Sequence, residues 1–367
     1  MITKKEITPP KATHPGILIK DELDATPDLN QKLLAKQLDV KPSFLNEIIK
    51  GKRPITPDIA VALEAALGIS AEYWIRFQSQ YEIDLARVKE KNVEKVSNIE
   101  KWSRIKETVP VRYFNKQNYL SESLTEDIST IKKIYDVAEI DQIAAEFTCF
   151  KETQSSYYRK SDKLKIDEKN MFAWSTLAQY EAKMQQTDSF SWESIDDLIV
   201  KLNQLFFENS DTLQRVKSVM NEFGIKFILI DKLEKTPIDG LTFWMDDNPA
   251  IALTLRHKRI DNFAFIIMHE IGHIDLHLRK DKDQHFMDLI QKKAINQHEK
   301  EADKYAQEKL ISKEVWQDIL DNHSSLNDDI LIAIGEQHKI NPAILLGRVC
   351  FENNNYARKT IIEKVLK

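Results

Sequence analysis

"FIIMHEIGHIDLH", residues 265–277, sets two histidines four positions apart, with a glutamate beside the first, inside a run that is otherwise almost wholly apolar. Around it, Phe263, Phe265, Ile266, Ile267, Met268, Ile271, Ile274 and Leu276 are apolar nearly all round a helix, the pattern of a helix sunk in a core. Asp261 is the natural N-cap for that helix. Burying His269, Glu270 and His273 there costs a few kcal/mol each unless something binds them. A metal ion would supply that compensation.

His269 and His273, at i and i+4, project from one helical face and can take neighbouring positions on a tetrahedral Zn2+. Glu270, turned about 100° from His269, is placed to reach a water in the open position instead. This is the HExxH arrangement of two ligands and a general base. The third ligand is sought in "HEKEADKYAQEKLI", residues 298–311, where Glu299, Ala302, Asp303, Ala306 and Leu310 share a face and the alanines permit close approach. Glu299 is assigned as the ligand, and Asp303, one turn later, as the acceptor that fixes a ligand histidine's tautomer. Glu301, about 200° from Glu299, points away from the ligands. The longer pattern HExxHxxGxxH fails, because Leu276 and Arg279 stand where it needs a glycine and a third histidine; His277, His285 and His298 are read as surface or supporting residues. No side chain is assigned to stabilise an oxyanion, and Tyr305 is only considered for it.

Upstream of this helix the texture is that of strands. "GIKFILID" from Gly224, "GLTFWM" from Gly240 and "PAIALTL" from Pro249 are short β-branched or aromatic runs bounded by Gly, Pro, Asp and Asn. The last of them, "IALTL", is expected to be the edge along which an extended substrate lies. Further back, "SWESIDDLIVKLNQLFFENS" carries Trp192, Ile195, Leu198, Ile199, Leu202, Leu205 and Phe206 as one apolar stripe after a Ser191 cap. "DLARVKEKNVEKVSNIEKWSRIKE", with Leu85, Val88, Val96, Ile99, Trp102 and Ile105 mostly three to four apart, reads as an amphipathic helix that Pro110 interrupts. Residues 110–210 are helical packing material with no functional signal.

Near the N-terminus, "LNQKLLAKQLDVKPSFLNEIIKGKRPI", residues 29–55, breaks into a helix with Leu33, Leu34 and Leu38 apolar, a turn at Asp39 and Val40, and a second helix with Phe44, Leu45, Ile48 and Ile49 facing inward. Two short helices joined by a tight turn make a helix-turn-helix. Between 41 and 53, Lys41, Lys50, Lys52 and Arg53 against Glu47 give 4 − 1 = +3, in a chain whose net charge is 53 − 58 = −5. Any contact with DNA must come from such a local patch. Trp74 and Phe77 are read as core.

Length and composition agree with several modules. A chain of 367 residues is too long for one ordinary domain. With 42% hydrophobic and 30% charged residues it is not a disordered chain, and 8 Gly with 11 Pro make it poor in turn formers and rich in helix. The segment "MITKKEITPPKATHPG" has no apolar signal core, and no window approaches 18 apolar residues, so the expected compartment is the cytoplasm, with no membrane. Cys149 and Cys350, far apart and without CxxC spacing, suggest neither a disulfide framework nor a cysteine zinc site.

Two resemblances follow from these residues. The order "FGIKF", "DGLTFWMDDNPAIALTLRHKRIDNFAFIIMHEIGHIDLH", "EKEADKYAQEKLI" and "INPAILLGR", over about residues 220–350, resembles the ImmA/IrrE family of zincin-like metallopeptidases. Where that family usually ends its ExxA helix on an "LMP"-like triplet, this chain has "LIS". The resemblance implies a zinc-dependent protease with a narrow protein substrate, a transcriptional repressor or an antitoxin. The N-terminal segment, flanked by "HPGILIKDELD" and "ITPDIAVALEAALGISAEYWIRFQSQYEIDLA", resembles the XRE-type fold and HigA-type antitoxins, with Asp39 in place of the usual turn glycine, which Asp tolerates by entering αL. It implies that the second helix enters the major groove, with Lys41, Ser43, Asn46 and Lys50 at the DNA, Ser43 and Asn46 toward base edges, and Lys52 and Arg53 on phosphates.

The expected architecture is mainly α with a small β-sheet: an XRE/HigA-like helix-turn-helix domain at 1–82, a helical connecting region at 83–210, and a zincin-like α+β domain at 211–367. The expected function is a cytoplasmic DNA-binding regulator or antitoxin carrying a zinc endopeptidase that cleaves a partner repressor or antitoxin. It is expected to act as a homodimer on operator DNA. The competing reading is a non-proteolytic antitoxin and autorepressor that neutralises a cognate toxin, with the zincin domain as sensor or scaffold.

Overall fold

Helices dominate the chain, as its scarcity of turn formers requires. The computed structural model describes residues 12–158, 166–254, 258–289 and 297–367. Two units result, Met1–Trp102 and Ser103–Lys367, and the division falls inside the helix Glu90–Thr108. Among the described residues, no helix is long and apolar enough to cross a membrane.

The first unit packs the helices Gly16–Ala25, Gln31–Gln37, Pro42–Ile49, Pro57–Leu67 and Ala71–Val88 around Ile19, Leu34, Leu45, Ile48, Leu63 and a fully buried Trp74. Phe77 is half-buried; of the three leucines assigned to the first helix of the pair, Leu34 and Leu38 turn inward and Leu33 is 40% exposed. The single amphipathic helix expected over 84–107 is two helices: Ala71–Val88 ends at Lys89, whose backbone is extended, and Glu90–Thr108 follows. Val88, Val96 and Ile99 stay exposed and only Ile105 is fully covered, so the spaced apolar residues of this stretch do not mark one buried face.

In the second unit the stripe on Ile195–Glu208 buries Ile195, Leu198, Ile199, Leu202, Leu205 and Phe206 as its spacing predicts, and Ser191 caps the short turn in front of it. Three strands arise where the sequence changes texture: β1 (Lys226–Leu229), β2 (Ile238–Met245) and β3 (Asn248–Leu253). A fourth, β4 (Phe286–Leu289), gives no legible sequence signal because its four residues are too few to establish alternation. The order across the sheet is β1-β3-β2-β4, with β1 parallel to β3 and the other pairs antiparallel. β3 is therefore a central strand; the expectation that "IALTL" forms a substrate-binding edge is wrong, because β1 closes one side of it and β2 the other. Among the described residues, the edges are β1 and β4.

Alternation gives the sheet two faces. Phe227, Ile251, Thr242 and Phe286 form one row across the four strands. That row meets the helix Ile260–His273, since Thr242 bonds Glu270 and Phe286 stacks on His273 at 4.5 Å. The neighbouring Lys226 points the other way and donates to Ala182 O of the helix Glu168–Met184, so helices cover both faces. This contact ties part of the 110–210 stretch into the same unit as the sheet.

Candidate functional site

The helix Ile260–His273 begins two residues earlier than an Asp261 cap would place it, with Arg259 at the N-cap position and no side-chain cap. Asp261, expected as the cap, lies inside the first turn, where its carboxylate pairs with the Arg259 guanidinium and favours the helix dipole. The helix Gln297–Leu310 packs alongside. Ala302 and Ala306 are fully buried between them, and a Cβ on Gly272 would lie 3.1 Å from Tyr305 and 3.3 Å from Ala302. Small residues at this crossing let side chains from the two helices meet.

They meet at His269, His273 and Glu299. The two Nε2 atoms lie 3.0 Å apart, and Glu299 reaches both, Oε2 at 3.4 Å from His269 and Oε1 at 3.7 Å from His273. Asp303 Oδ1 accepts from His269 Nδ1 at 2.9 Å. An ionised carboxylate only accepts, so neutral His269 carries its proton on Nδ1 and turns the Nε2 lone pair into the cluster. Three donor atoms gathered this closely could hold a metal ion. A tetrahedron with zinc–ligand bonds of about 2.0–2.1 Å has edges of roughly 3.3–3.4 Å, so this donor set fits zinc and leaves one position open. Burial opposes a charge on His269, yet the hydrogen bonds to Asp303 and Glu299 outweigh it and hold the ring well above its ordinary pKa. His273 is pushed far down, by burial first and by His269 next.

Glu270 faces the sheet. Its Oε2 accepts from Thr242 Oγ1 at 2.5 Å, while Oε1 is buried without a hydrogen-bond partner. Any Cβ on Gly240 would collide with that Oε1. Gly240 and Thr242, two apart on β2, share one face, and between them they make room for the carboxylate and hold one end of it. Burial pushes its pKa up to about 8, with Asp288 and Glu299 adding to the effect and His269 opposing it. Leaving a buried carboxylate oxygen unpaired costs about 1–3 kcal/mol or more, a cost an idle side chain would not be expected to carry.

Sequence reasoning missed part of this environment. Asp288 on β4 is raised to about 6 by burial, against His269 and together with Glu299, Asp239 and Asp303, so it belongs to the same field. Its signal is absent from the sequence, since only strand pairing brings β4 here. Thr242 and Gly240 had a signal, a glycine and a hydroxyl alternating in an apolar strand. Glu301 points away from the ligands as expected, and it meets His277, which is buried beside His273. Tyr305 is committed elsewhere: its hydroxyl donates to Asp275 Oδ2 at 3.1 Å.

The second candidate surface is in the N-terminal unit. Asn30 caps Gln31–Gln37 by accepting from Leu33 N, Asp39 turns the chain at φ 52°, and Pro42 opens the helix Pro42–Ile49. Around that helix Lys41, Ser43, Lys50 and Lys52 are exposed, and Asn46 is half-buried. Arg53, also exposed, pairs with Glu47 at 2.9 Å and stacks over Phe44 at 4.7 Å.

The helix-turn-helix family model matches residues 27–74, from just before the first helix of this pair to Trp74. The chain belongs, through this unit, to the helix-turn-helix family. Virulence-associated protein A′ of Dichelobacter nodosus is 43% identical over 84 residues, 23% of this chain and 70% of that protein. Virulence-associated protein A of the same organism is 39% identical over 97 residues, 26% of this chain and 92% of its own length. Among solved structures, the Pseudomonas aeruginosa antitoxin HigA with its higBA promoter is 29% identical, covering 23% of this chain and 91% of that one, with a TM-score of 0.22. A helix-turn-helix unit occupies the first part of the chain, and the cluster of His269, His273 and Glu299 lies in the second unit.

Proposed function

We propose that this protein joins a DNA-binding regulator or antitoxin to a zinc-dependent endopeptidase that cleaves a partner repressor or antitoxin. The observation that carries the reading is the convergence of His269, His273 and Glu299 beside a Glu270 whose Oε1 is buried and unpaired. His269, His273 and Glu299 would hold the metal. Bound zinc supplies Lewis acidity, bringing a water's pKa to about 7 and polarising a carbonyl.

The remaining steps belong to the chain. Thr242 fixes Glu270 Oε2, so Oε1 is the atom free to take a proton from the attacking water and return it to the leaving amine nitrogen. Asp303 holds His269 in the tautomer that presents Nε2. At the N-terminal unit, Lys41, Ser43, Asn46, Lys50 and Lys52 would face operator DNA, with a homodimer matching a two-fold operator. The protein would work in the cytoplasm, where a repressor, an antitoxin or a cognate toxin is at hand. A purely non-proteolytic antitoxin has no use for Glu270 as it is held.

The test compares new protein N-termini by quantitative mass spectrometry in cells carrying the wild type or Glu270→Gln. One or a few termini lost in the mutant are expected, since removing a general base lowers the rate by about 10²–10⁴-fold. Identical termini, with repression intact, would leave the non-proteolytic antitoxin.

A further inference from the structure

The helix that carries the HExxH residues does not end at His273. It widens into a π turn over Ile274–Leu278, and widened turns of this kind are frequent at functional sites. His277 sits in that turn, 2% exposed, with its ring 5.1 Å from Phe286 and 4.5 Å from His298. Its Nδ1 lies 3.0 Å from His273 Nδ1, and its Nε2 lies 3.1 Å from Glu301 Oε2.

Proton bookkeeping along this row has one consistent solution for neutral rings. The Glu301 carboxylate accepts, so His277 Nε2 carries hydrogen and His277 Nδ1 offers a lone pair. His273 Nδ1 must then donate to it, and His273 Nε2 is left with its lone pair toward His269 and Glu299. His277 is not itself a ligand, because it touches the side of the His273 ring opposite the cluster. Each ligand histidine is thus backed by a carboxylate, His269 directly by Asp303 and His273 through one intervening imidazole.

We propose that His277 and Glu301 are positioning residues that fix the tautomer and ring orientation of His273, so that its Nε2 is prepared for the metal before the metal arrives. The proposal rests on the zinc-site reading above. Groups in this backing position typically contribute 10–100-fold to metal affinity.

The experiment uses the full chain. Zinc affinity is measured by chelator competition for the wild type, His277→Phe, His277→Gln and Glu301→Ala, with thermal melting as a control on folding. His277→Phe keeps a buried ring but cannot relay, and about 10–100-fold weaker binding is expected. His277→Gln, whose amide can both accept and donate, should recover most of the loss, which a mere packing role would not predict. In parallel, long-range nitrogen–proton NMR spectra of histidine-labelled, metal-free wild type should place the His273 proton on Nδ1 and the His277 proton on Nε2. A wild type that binds zinc while His277→Phe binds it equally well overturns the relay and spares the metal site. A wild type with no zinc affinity overturns the metal site, and the tautomers then decide the relay alone. A His273 proton on Nε2 overturns it in either case.

Discussion

The two units place their polar residues in opposite ways. In the first, the core of Ile19, Leu34, Leu45, Ile48 and Leu63 is apolar, and the residues assigned to DNA stand mostly outside it. In the second, His269, Glu270, His273 and His277 are buried, 4%, 0%, 1% and 2% exposed. A surface that reads a polyanion needs solvated cations on a rigid helix, and its chemistry stays local. A cluster that could hold a metal needs its donors withdrawn from solvent, and it can hold them only by gathering several elements.

That contrast can be broken by mutation. The largest effect should come from Glu299→Ala, which removes the one proposed ligand supplied by a second helix. Bound zinc, measured by elemental analysis, should fall from about one per chain to near none, while affinity for the DNA upstream of the protein's own coding region stays unchanged. If DNA binding fell with the zinc, the units would not be independent. Next is Gly240→Ala, whose Cβ would displace Glu270. Zinc should remain, cleavage of the substrate found by mass spectrometry should drop about 10²-fold, and unfolding free energy should fall by about 1–3 kcal/mol in denaturant titrations.

Smaller effects test the first unit. Lys50→Ala should weaken DNA binding alike on all sequences and lower the slope of log affinity against log salt by about 1. Arg53→Ala should change that slope less, because Glu47 already pairs with the guanidinium. The mildest change is Asp39→Gly, which relieves a left-handed residue at φ 52°. A gain on the order of 0.5–1 kcal/mol in stability is expected, with DNA affinity preserved. A loss of stability would mean that the aspartate side chain itself holds the turn.

What could be read in advance divides along the same line. The pair Gln31–Gln37 and Pro42–Ile49 was legible because its turn residue, cap and apolar spacing all lie within twenty residues. The stripe of Ile195–Glu208 was legible for the same reason. The helix over 84–107 was misread because apolar spacing alone does not say whether a partner surface exists. Asp261 was misread because a helix start depends on which backbone groups are already bonded, and Ile260 N is taken by Lys364 O from far along the chain.

The sequence by itself determined the pair His269 and His273 and the neighbouring Glu270, since an i, i+4 relation is a property of one helix. It also singled out Glu299 and Asp303, since the alanines between and after them mark a packed face. Only the tertiary structure decided that β3 lies at the centre of the sheet, that Gly240 and Thr242 hold Glu270, that Asp288 enters the same field, and that His277 links His273 to Glu301. Each of these is a contact between elements far apart in the chain, set by strand pairing and helix crossing, and no local spacing encodes it.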